Sequence, residues 1–289
     1  MKTFIATFPE LKLLGKRVAT LFHCDYTTII SSTFPDNESY VKFMLNPKDK
    51  TVVMIVSFAQ EPNKKLIECM LAADAAREYG AKKVILVATY LPYMRQDTHF
   101  ENYDAASAYT IVKMLAIHFD KIVAIDPHLH RISSLREIAK NAREITTSKL
   151  IAAYIQSQYK DSFHIVGPDK ESFHWARAVA ALLGRKAIIL RKVRHSSARV
   201  TIQGKPLGEN VIIIDDIIST GHTILETIKI AKQYHAKKIT CIGVHGIFAN
   251  HSDKMIEQHA TIVTTNTIPN RYARIDVAPL IVSELERLL

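Results

Sequence analysis

Residues 211–223 read Val211-Ile212-Ile213-Ile214-Asp215-Asp216-Ile217-Ile218-Ser219-Thr220-Gly221-His222-Thr223. The β-branched run 211–214 predicts a strand that is buried on both faces, as in a parallel sheet. Two carboxylates follow at its carboxyl end, where open α/β sheets bind their ligands. Small and hydroxyl-bearing residues then lead into a helix, whose N-terminus attracts anions. The acidic pair and the loop favour a sugar phosphate as the ligand, and the alternative is an ordinary capped strand–helix turn.

Short apolar runs alternate with segments of helical period along the rest of the chain. Strands are predicted at 52–56, 84–88, 122–125, 164–166, 187–190, 211–214 and 239–244. Helices are predicted at 64–79, 105–118, 172–183 and 223–234. This alternation indicates crossover units, and therefore an α/β fold of mainly parallel sheets with helices on both faces.

The chain contains an internal repeat. Segments 76–84 and 231–239 are identical at five of nine positions, and each is predicted to end a helix and begin a strand. Duplication explains this shared context better than chance does. We therefore predict two domains, 1–145 and 146–289, and expect a final helix within 276–289 to pack back on the first.

The composition limits the class of protein. The 289 residues are 48% hydrophobic and 23% charged, as expected for a globular protein of about two domains. No apolar run is long enough to span a membrane, and the N-terminus lacks the apolar core of a signal peptide. Three cysteines form no CxxC pair, which argues against a disulfide framework and favours the cytoplasm.

The net charge of +10 favours anionic partners, either nucleic acid, anionic lipid or phosphorylated metabolites. Neither a zinc-finger spacing nor a basic helix interleaved with aromatic residues is present, but net charge alone does not choose between these partners and a merely solubilising surface. Nucleic acid and membrane are nevertheless not among the predicted partners. The P-loop pattern is also missing, which means that a P-loop would not hold a bound ATP.

Region 211–223 resembles the phosphoribosyl-pyrophosphate (PRPP) binding motif of the phosphoribosyltransferase fold. Six further segments resemble, in order, those of the ribose-phosphate pyrophosphokinases, or PRPP synthetases: Phe34-Pro35-Asp36-Asn37-Glu38, Tyr93-Met94-Arg95-Gln96-Asp97, Asp126-Pro127-His128, Gly167-Pro168-Asp169, Arg191-Lys192-Val193-Arg194 and Thr265-Asn266-Thr267-Ile268-Pro269. The short length and Ser219 are similar to the archaeal-like branch. The resemblance implies two tandem phosphoribosyltransferase-like domains, the first for ATP and the second for ribose 5-phosphate.

The resemblance also implies roles for the matching residues. ATP is expected to contact Asp36, Asn37, Glu38, Arg95, Gln96 and Asp97. Lys192 and Arg194 are the expected catalytic residues, and His128 and Asp169 the expected ligands of Mg²⁺. Ribose 5-phosphate is expected to contact Asp215, Asp216, Ser219, Thr220, Gly221, His222 and Thr223. Taken alone, Arg95 is equally suited to a surface ion pair with Asp97, and segment 191–199 to a solvated hairpin tip.

The implied reaction transfers pyrophosphate from ATP to the anomeric hydroxyl of ribose 5-phosphate, giving PRPP and AMP for nucleotide biosynthesis. Such an enzyme is expected to form a homo-oligomer, a dimer or larger, because the family's counterpart of loop 36–38 lies against the ATP of a neighbouring subunit. A phosphoribosyltransferase that consumes PRPP is a second interpretation, against which the doubled architecture argues. A third is a catalytically weak paralogue that binds phosphates and regulates a partner enzyme. It is favoured by Lys170-Glu171 and Trp175, which depart from the family's pyrophosphate loop.

Overall fold

The computed structural model describes residues 2–170, 172–189 and 209–289. Within these ranges the helices are α1 (Lys12–Leu21), α2 (Pro62–Glu78), α3 (Ser107–His118), α4 (Ser148–Gln158), α5 (Phe173–Leu182), α6 (His222–Gln233), α7 (Ser252–Ile256) and α8 (Ala278–Leu288). The strands are β1 (Thr3–Thr7), β2 (Asp25–Thr33), β3 (Ser39–Phe43), β4 (Thr51–Ser57), β5 (Lys83–Tyr90), β6 (Lys121–Ile125), β7 (Ala142–Ile145), β8 (His164–Gly167), β9 (Ala187–Ile189), β10 (Asn210–Ile218), β11 (Lys238–Gly246), β12 (Thr261–Thr265) and β13 (Ala273–Ile275). Lys192, Arg194 and Glu171 lie outside the described residues.

The first compact unit comprises Met1–Thr146, Thr267–Pro269 and Val277–Leu289. Its sheet has the strand order β3-β2-β1-β4-β5-β6-β7. Neighbouring strands are parallel except β2 and β3, which form an antiparallel hairpin. From β1 the chain proceeds towards one edge of the sheet, and from β4 towards the other. The topological switch point therefore lies between β1 and β4, and ligands of such sheets bind at that point.

The second compact unit comprises Thr147–Asn266 and Asn270–Asp276. Its sheet has the order β13-β12-β11-β10-β8-β9, with parallel pairing throughout the described strands. Here β8 leads to β9 at one edge, whereas β10 leads to β11 on the other side. The switch point of this sheet lies between β8 and β10.

Helices cover both faces of the second sheet, as the burial along β10 shows. Ile212 and Ile214 pack into an apolar cluster with α4 and α5. Val211 and Ile213 point to the opposite face and join a cluster that contains residues of α6. A strand covered on both faces needs apolar residues at consecutive positions rather than alternate ones. The prediction of an α/β fold with mainly parallel sheets and helices on both faces is confirmed.

The repeated segments adopt the same backbone geometry. Each lies between a helix and a strand, α2 and β5 in the first unit and α6 and β11 in the second. The second residue after each helix is left-handed, with φ of +87° at Gly80 and +66° at His235. The same backbone hydrogen bond closes each helix, from Ala81 N to Ala76 O (2.9 Å) and from Ala236 N to Ala231 O (3.1 Å). The segment from β4 through α2 to β5 thus corresponds to that from β10 through α6 to β11.

Helix α8 belongs to the first unit, where it packs against α1. An ion pair supports this end of the unit, since Arg143 Nη1 lies 3.0 Å from Oε1 of the buried Glu284. The domain bounds 1–145 and 146–289 stay predictions, as does the assignment of ATP to one domain and ribose 5-phosphate to the other.

In the described part of the chain, no helix combines the length and apolar character that crossing a membrane requires.

The strand predicted at 211–214 was too short. Strand β10 pairs with β11 as far as Ile218 and Gly246, because the apolar residues after the acidic pair continue the ladder. Asp215 and Asp216 therefore lie within the strand instead of after it. This places both carboxylates in the buried layer of the sheet.

Candidate functional site

The loop after β10 is a tight turn into helix α6. Gly221 precedes the helix with φ of +78°, a left-handed conformation that glycine adopts without strain. The N-cap residue of α6 is Gly221, which has no side chain to cap the first turn, so among the described residues the predicted alternative, a hydroxyl-capped turn, does not describe this loop. Helix α7 anchors this loop, because the hydroxyl of its buried residue Ser252 donates a hydrogen bond to Ser219 O at 2.5 Å. An uncapped helix N-terminus behind a glycine turn offers N–H groups to an anion.

The two carboxylates of β10 are buried. Asp215 Oδ1 accepts a hydrogen bond from Asp216 N at 3.0 Å, and Asp216 Oδ1 accepts one from Ile217 N at 2.8 Å. Burial raises the pKa of Asp215 well above its usual range, and the negative charges of Asp216 and Asp169 raise it further. The structure thus brings Asp169, Asp215 and Asp216 into one acidic cluster at the switch point of the second unit.

The loop after β8 carries Asp169, the expected metal ligand. Its Oδ1 accepts hydrogen bonds from Ser172 N (2.8 Å) and Ser172 Oγ (3.0 Å), which holds the turn into α5. Gly167 allows this close approach, because a Cβ atom there would lie 3.0 Å from Phe173 Cα. Lys170 is exposed in this loop. Trp175 is buried in the apolar core and is therefore a packing residue.

In the first unit, the predicted ATP segment 93–97 contains Asp97, whose two carboxylate oxygens both accept hydrogen bonds. Asp97 Oδ1 accepts a hydrogen bond from Arg131 Nη1 at 2.7 Å, and Oδ2 accepts one from Arg131 N at 2.9 Å. Burial opposes ionisation of Asp97, but these bonds and one from His130 N outweigh it and lower the pKa of the carboxyl. The ion-pair partner of Asp97 is thus Arg131 instead of Arg95, which is exposed. Direct contact between Asp97 and ATP stays a prediction.

Gln96 and His128 lie on either side of this anchor. Gln96 Oε1 accepts a hydrogen bond from Ser107 Oγ at 2.7 Å, at the start of α3. The rings of His128 and His130 meet edge to face, with their Nε2 atoms 2.5 Å apart. The bond from Arg131 N to Asp97 fixes the loop that carries both histidines.

The residues present suit Mg²⁺ in the second unit better than in the first. Mg²⁺ prefers oxygen ligands, which Asp169 and its neighbouring carboxylates supply, and a cation would relieve the repulsion around Asp215. His128 offers nitrogen, a poorer donor for this ion. Among the described residues, no group of three or more His, Cys, Asp or Glu side chains is arranged to hold a metal ion. The assignment of His128 and Asp169 as ligands stays a prediction.

The expected ATP loop 36–38 forms the tip of the β2–β3 hairpin. Asn37 is left-handed with φ of +70°, a conformation that asparagine tolerates, so it can replace a glycine here. Phe34 N donates to Glu38 O at 2.8 Å, and Asp36 Oδ1 accepts from Glu38 N at 3.3 Å. Phe34 is half exposed and stacks edge to face on Tyr40. The hairpin presents a polar turn flanked by exposed aromatic rings.

Sequence reasoning missed the residues that hold these loops in place. They are Arg131, which pairs with Asp97; Ser252, which anchors the loop after β10; and Ser172, which engages Asp169. Only the last had a local signal, because Asp169 and Ser172 have the spacing of a capped helix start. Arg131 and Ser252 lie more than 30 residues from their partners, so only the tertiary structure shows the contacts.

Comparison with known proteins identifies both halves of the chain. Residues 3–118 match the family described as the N-terminal domain of ribose phosphate pyrophosphokinase. Residues 134–280 match the phosphoribosyl transferase domain family. Both halves of the chain therefore belong to the class of phosphoribosyltransferase-like domains.

Individual relatives match nearly the whole chain. The ribose-phosphate pyrophosphokinase of Thermococcus kodakarensis is 32% identical over 250 residues, which are 85% of this chain and 88% of the relative. That of Pyrococcus abyssi is 32% identical over 266 residues, 90% of this chain and 91% of the relative. The chain belongs to the ribose-phosphate pyrophosphokinase family, as its motifs predict.

A solved structure shows the same fold over the full length. The crystal structure of phosphoribosylpyrophosphate synthetase from Mycobacterium smegmatis covers 100% of this chain and 99% of its own, with a TM-score of 0.88 at 22% identity. The prediction of two tandem phosphoribosyltransferase-like domains is therefore confirmed at the level of the fold. The predicted membership of an enzyme family of pyrophosphate transferases is confirmed by the relatives.

Proposed function

We propose that the chain transfers the pyrophosphoryl group of ATP to ribose 5-phosphate, giving PRPP and AMP. The observation that carries this proposal is the uncapped left-handed turn at Gly221, set beside the buried carboxylates of β10. A turn of this kind receives a phosphate, and adjacent carboxylates accept hydrogen bonds from sugar hydroxyls. Family membership indicates the type of reaction, and the turn is the proposed binding site of ribose 5-phosphate, which accepts the pyrophosphoryl group.

Ribose 5-phosphate binds in the second unit in this proposal. Its phosphate lies on the N–H groups of residues 219–223, with the hydroxyls of Ser219, Thr220 and Thr223 and the ring of His222 around it. Its ring hydroxyls donate to Asp215 and Asp216. Binding of a hydroxyl donor stabilises the ionised form of Asp215, which burial and its acidic neighbours otherwise disfavour.

The chemical step is an in-line displacement at phosphorus. The anomeric oxygen bonds to the β-phosphorus of ATP, the bond from that phosphorus to the α–β bridging oxygen breaks, and AMP leaves. The anomeric hydroxyl loses its proton to solvent water during the step, and the bridging oxygen leaves as part of the AMP phosphate. Asp169 of the second unit and His128 of the first are each expected ligands of Mg²⁺, which would neutralise charge on the polyphosphate when bound. Catalysis of this type depends on positioning and electrostatics.

The cationic residues act on the transferred group. Arg95 is exposed and free to form a bidentate contact with a phosphate, and Gln96, Asp97 and loop 36–38 complete the expected ATP contacts. Lys192 and Arg194 stabilise the negative charge that develops in the transition state.

A homo-oligomer brings the exposed hairpin 34–40 of one subunit against the ATP of the next. We place the enzyme in the cytoplasm, since Cys24, Cys69 and Cys241 are all free thiols.

The proposal is tested by measuring AMP release from ATP and Mg²⁺ with and without ribose 5-phosphate. The wild type is compared with Lys192→Ala and with Lys186→Ala, an exposed lysine of the same unit that is assigned no role. We expect release that requires the sugar phosphate and falls by about 10²–10³-fold only in Lys192→Ala.

The altered loop 169–172 favours one other function, that of a regulatory paralogue. Asp169 Oδ1 is engaged with Ser172, and Lys170 is exposed beside it. If no AMP is released although calorimetry detects binding of ribose 5-phosphate, the synthetase proposal fails and the regulatory function replaces it. Reversion of Lys170-Glu171 to small residues then tests whether that loop is the cause.

A further inference from the structure

The loop after β10 is supported by residues 247–252, a short segment that directly follows β11. Ile218 O, at the end of β10, accepts hydrogen bonds from the N–H groups of the first two residues of this segment, each at 3.0 Å. The next carbonyl oxygen of the loop, Ser219 O, accepts one from Ser252 Oγ at 2.5 Å. One segment therefore binds two consecutive carbonyl groups of the loop.

These hydrogen bonds decide which way the neighbouring N–H groups point. A peptide bond is planar and trans, so its C=O and N–H groups point in opposite directions. Consecutive carbonyls alternate between the two sides of an extended strand, whereas Ile218 O and Ser219 O both bind residues 247–252. The N–H groups of Ser219 and Thr220 therefore both point away from that segment, to one side of the loop.

Two consecutive N–H groups that point the same way form a concavity that binds anions. No backbone carbonyl of the described residues accepts a hydrogen bond from the N–H of Ser219 or Thr220. These residues directly precede Gly221, the left-handed residue before α6. The two N–H groups thus add to the donors of the uncapped helix start, and the bonds to their carbonyls keep them on the ligand side.

The packing around Ser252 holds its hydroxyl in place. The residue is fully buried, and a Cβ atom at Gly221 would lie 3.1 Å from Ser252 Cβ, so Ser252 packs directly against the turn. It begins helix α7, whose next residue, Asp253, accepts a hydrogen bond from Tyr272 Oη at 3.1 Å. Contacts on both sides of α7 therefore keep the hydroxyl against Ser219 O.

The backbone that leads to Ser252 is strained. Phe248, Asn250 and His251 are left-handed, with φ of +53°, +54° and +56°, a conformation that is uncommon for phenylalanine and histidine. The ring of Phe248 packs edge to face on Tyr272, with the ring centres 5.2 Å apart. Such strain persists only where the surrounding structure fixes it. The tight course of this segment returns Ser252 to the carbonyl that follows the one bound by Phe248 N.

We infer that Ser252 is a positioning residue for the phosphate of ribose 5-phosphate, which rests on the function proposed above. Ser252 acts through the peptide between Ser219 and Thr220 and does not contact the ligand. Its hydroxyl holds that peptide with the carbonyl towards α7 and the N–H towards the phosphate. Without this bond the peptide can rotate, which removes one donor and turns a carbonyl oxygen towards the anion.

Two variants of Ser252 test the inference through the affinity of the full chain for ribose 5-phosphate, measured by calorimetry. Ser252→Ala should weaken binding about tenfold, because a donor is lost and a carbonyl faces the phosphate. Ser252→Cys should have an intermediate affinity, since a thiol is a weak donor of similar size. Inorganic phosphate, titrated in the same way, should give the same order of affinities. A crystal structure of Ser252→Ala should show the peptide between residues 219 and 220 rotated.

Thr227→Val is the matched control. Thr227 is 2% exposed and its Oγ1 donates to Thr223 O at 2.7 Å, so valine also removes a buried bond from a hydroxyl to a carbonyl. Here the helix itself holds the carbonyl, through the backbone bond between residues four apart. Thr227→Val should therefore keep the wild-type affinity for ribose 5-phosphate, although it unfolds at lower urea concentration.

Three results would each overturn the inference. They are wild-type affinity in Ser252→Ala, an equal loss of affinity in Thr227→Val, and a fall in affinity in Ser252→Ala with the peptide between residues 219 and 220 unchanged in its crystal structure. Failure of the proposed function alone gives a different result, in which no AMP is released although Ser252→Ala still weakens binding of ribose 5-phosphate. A wild type that binds neither ribose 5-phosphate nor inorganic phosphate would overturn both.

Discussion

The carboxylate of Asp97 binds both the guanidinium and the backbone N–H of Arg131, 34 positions away in the chain. Asp97 is 3% exposed, and its oxygens face the loop that carries His128 and His130. The segment 93–97 and the loop 128–131 thus form one rigid element at the carboxyl ends of β5 and β6. This contact positions two segments that the sequence assigned separately to ATP and to the metal.

Asp97→Asn should lower the free energy of unfolding by about 2 kcal/mol at pH 7, because it weakens charged, buried hydrogen bonds. The folded-state pKa of Asp97 is depressed, so its contribution is present above the unfolded pKa and is lost as the pH falls through the folded one. The difference between wild type and variant should therefore shrink below about pH 4. Urea unfolding at several pH values measures it.

Arg95→Ala is the control for this experiment, since Arg95 lies on the same segment but is exposed. It should leave the free energy of unfolding within about 0.5 kcal/mol of the wild type. A stability difference for Asp97→Asn that stays constant from pH 7 to pH 3 would show that ionisation of Asp97 is not responsible.

Asp215→Asn should have the opposite pH dependence. Burial and the charges of Asp216 and Asp169 raise the pKa of Asp215, so the wild type is most stable below the unfolded pKa and loses stability as the pH rises through the folded pKa. The asparagine variant should lack this loss and, above the folded pKa, unfold at higher urea concentration than the wild type.

The same variant should bind ribose 5-phosphate at least about tenfold more weakly, since it loses a charged acceptor for a sugar hydroxyl. Asp161→Asn, at an exposed position of the same unit, is the control for both measurements. If Asp215→Asn were less stable than the wild type throughout the pH range, the carboxyl would be a structural acceptor and not a group held for a ligand.

The sequence predicted the central elements well, because their patterns are local. The buried runs in β4, β5, β10 and β11 and the glycine turn at Gly221 have short-range signals. Strands β2 and β3 were not predicted, because an edge hairpin has mixed burial and contains many Ser and Thr residues. The acidic pair was expected after a strand, but the ladder with β11 continues past it. Pairing between strands decides such boundaries, and it is invisible in one sequence.

Cys24 should react slowly with disulfide reagents. Burial raises the pKa of its thiol to about 11, which leaves about a hundredfold less thiolate at pH 8 than an ordinary cysteine has. The labelling rate with 5,5′-dithiobis(2-nitrobenzoic acid) should rise about tenfold per pH unit from pH 8 to pH 9. Cys24→Ser identifies this phase, because Cys69 and Cys241 are fully buried. A fast phase at pH 8 that survives in Cys24→Ser would contradict this assignment.

Gly221→Ala should damage the proposed sugar-phosphate site more than it damages the fold. A Cβ atom at Gly221 would strain the left-handed backbone and lie 3.1 Å from Ser252 Cβ and 3.2 Å from Ile256 Cδ1. Relief of these contacts must move the loop away from the helix that anchors it. We expect a stability loss of about 1–2 kcal/mol and a drop in ribose 5-phosphate affinity of at least about tenfold.

Gly184→Ala separates the backbone effect from the steric one. Gly184 is also left-handed, with φ of +65°, but a Cβ there would meet no atom within 4 Å. It should lose about 1 kcal/mol of stability and keep its affinity for ribose 5-phosphate, measured by calorimetry. Equal affinity losses in the two glycine variants would mean that general destabilisation weakens binding. A loss confined to Gly221→Ala locates the phosphate on the turn between β10 and α6.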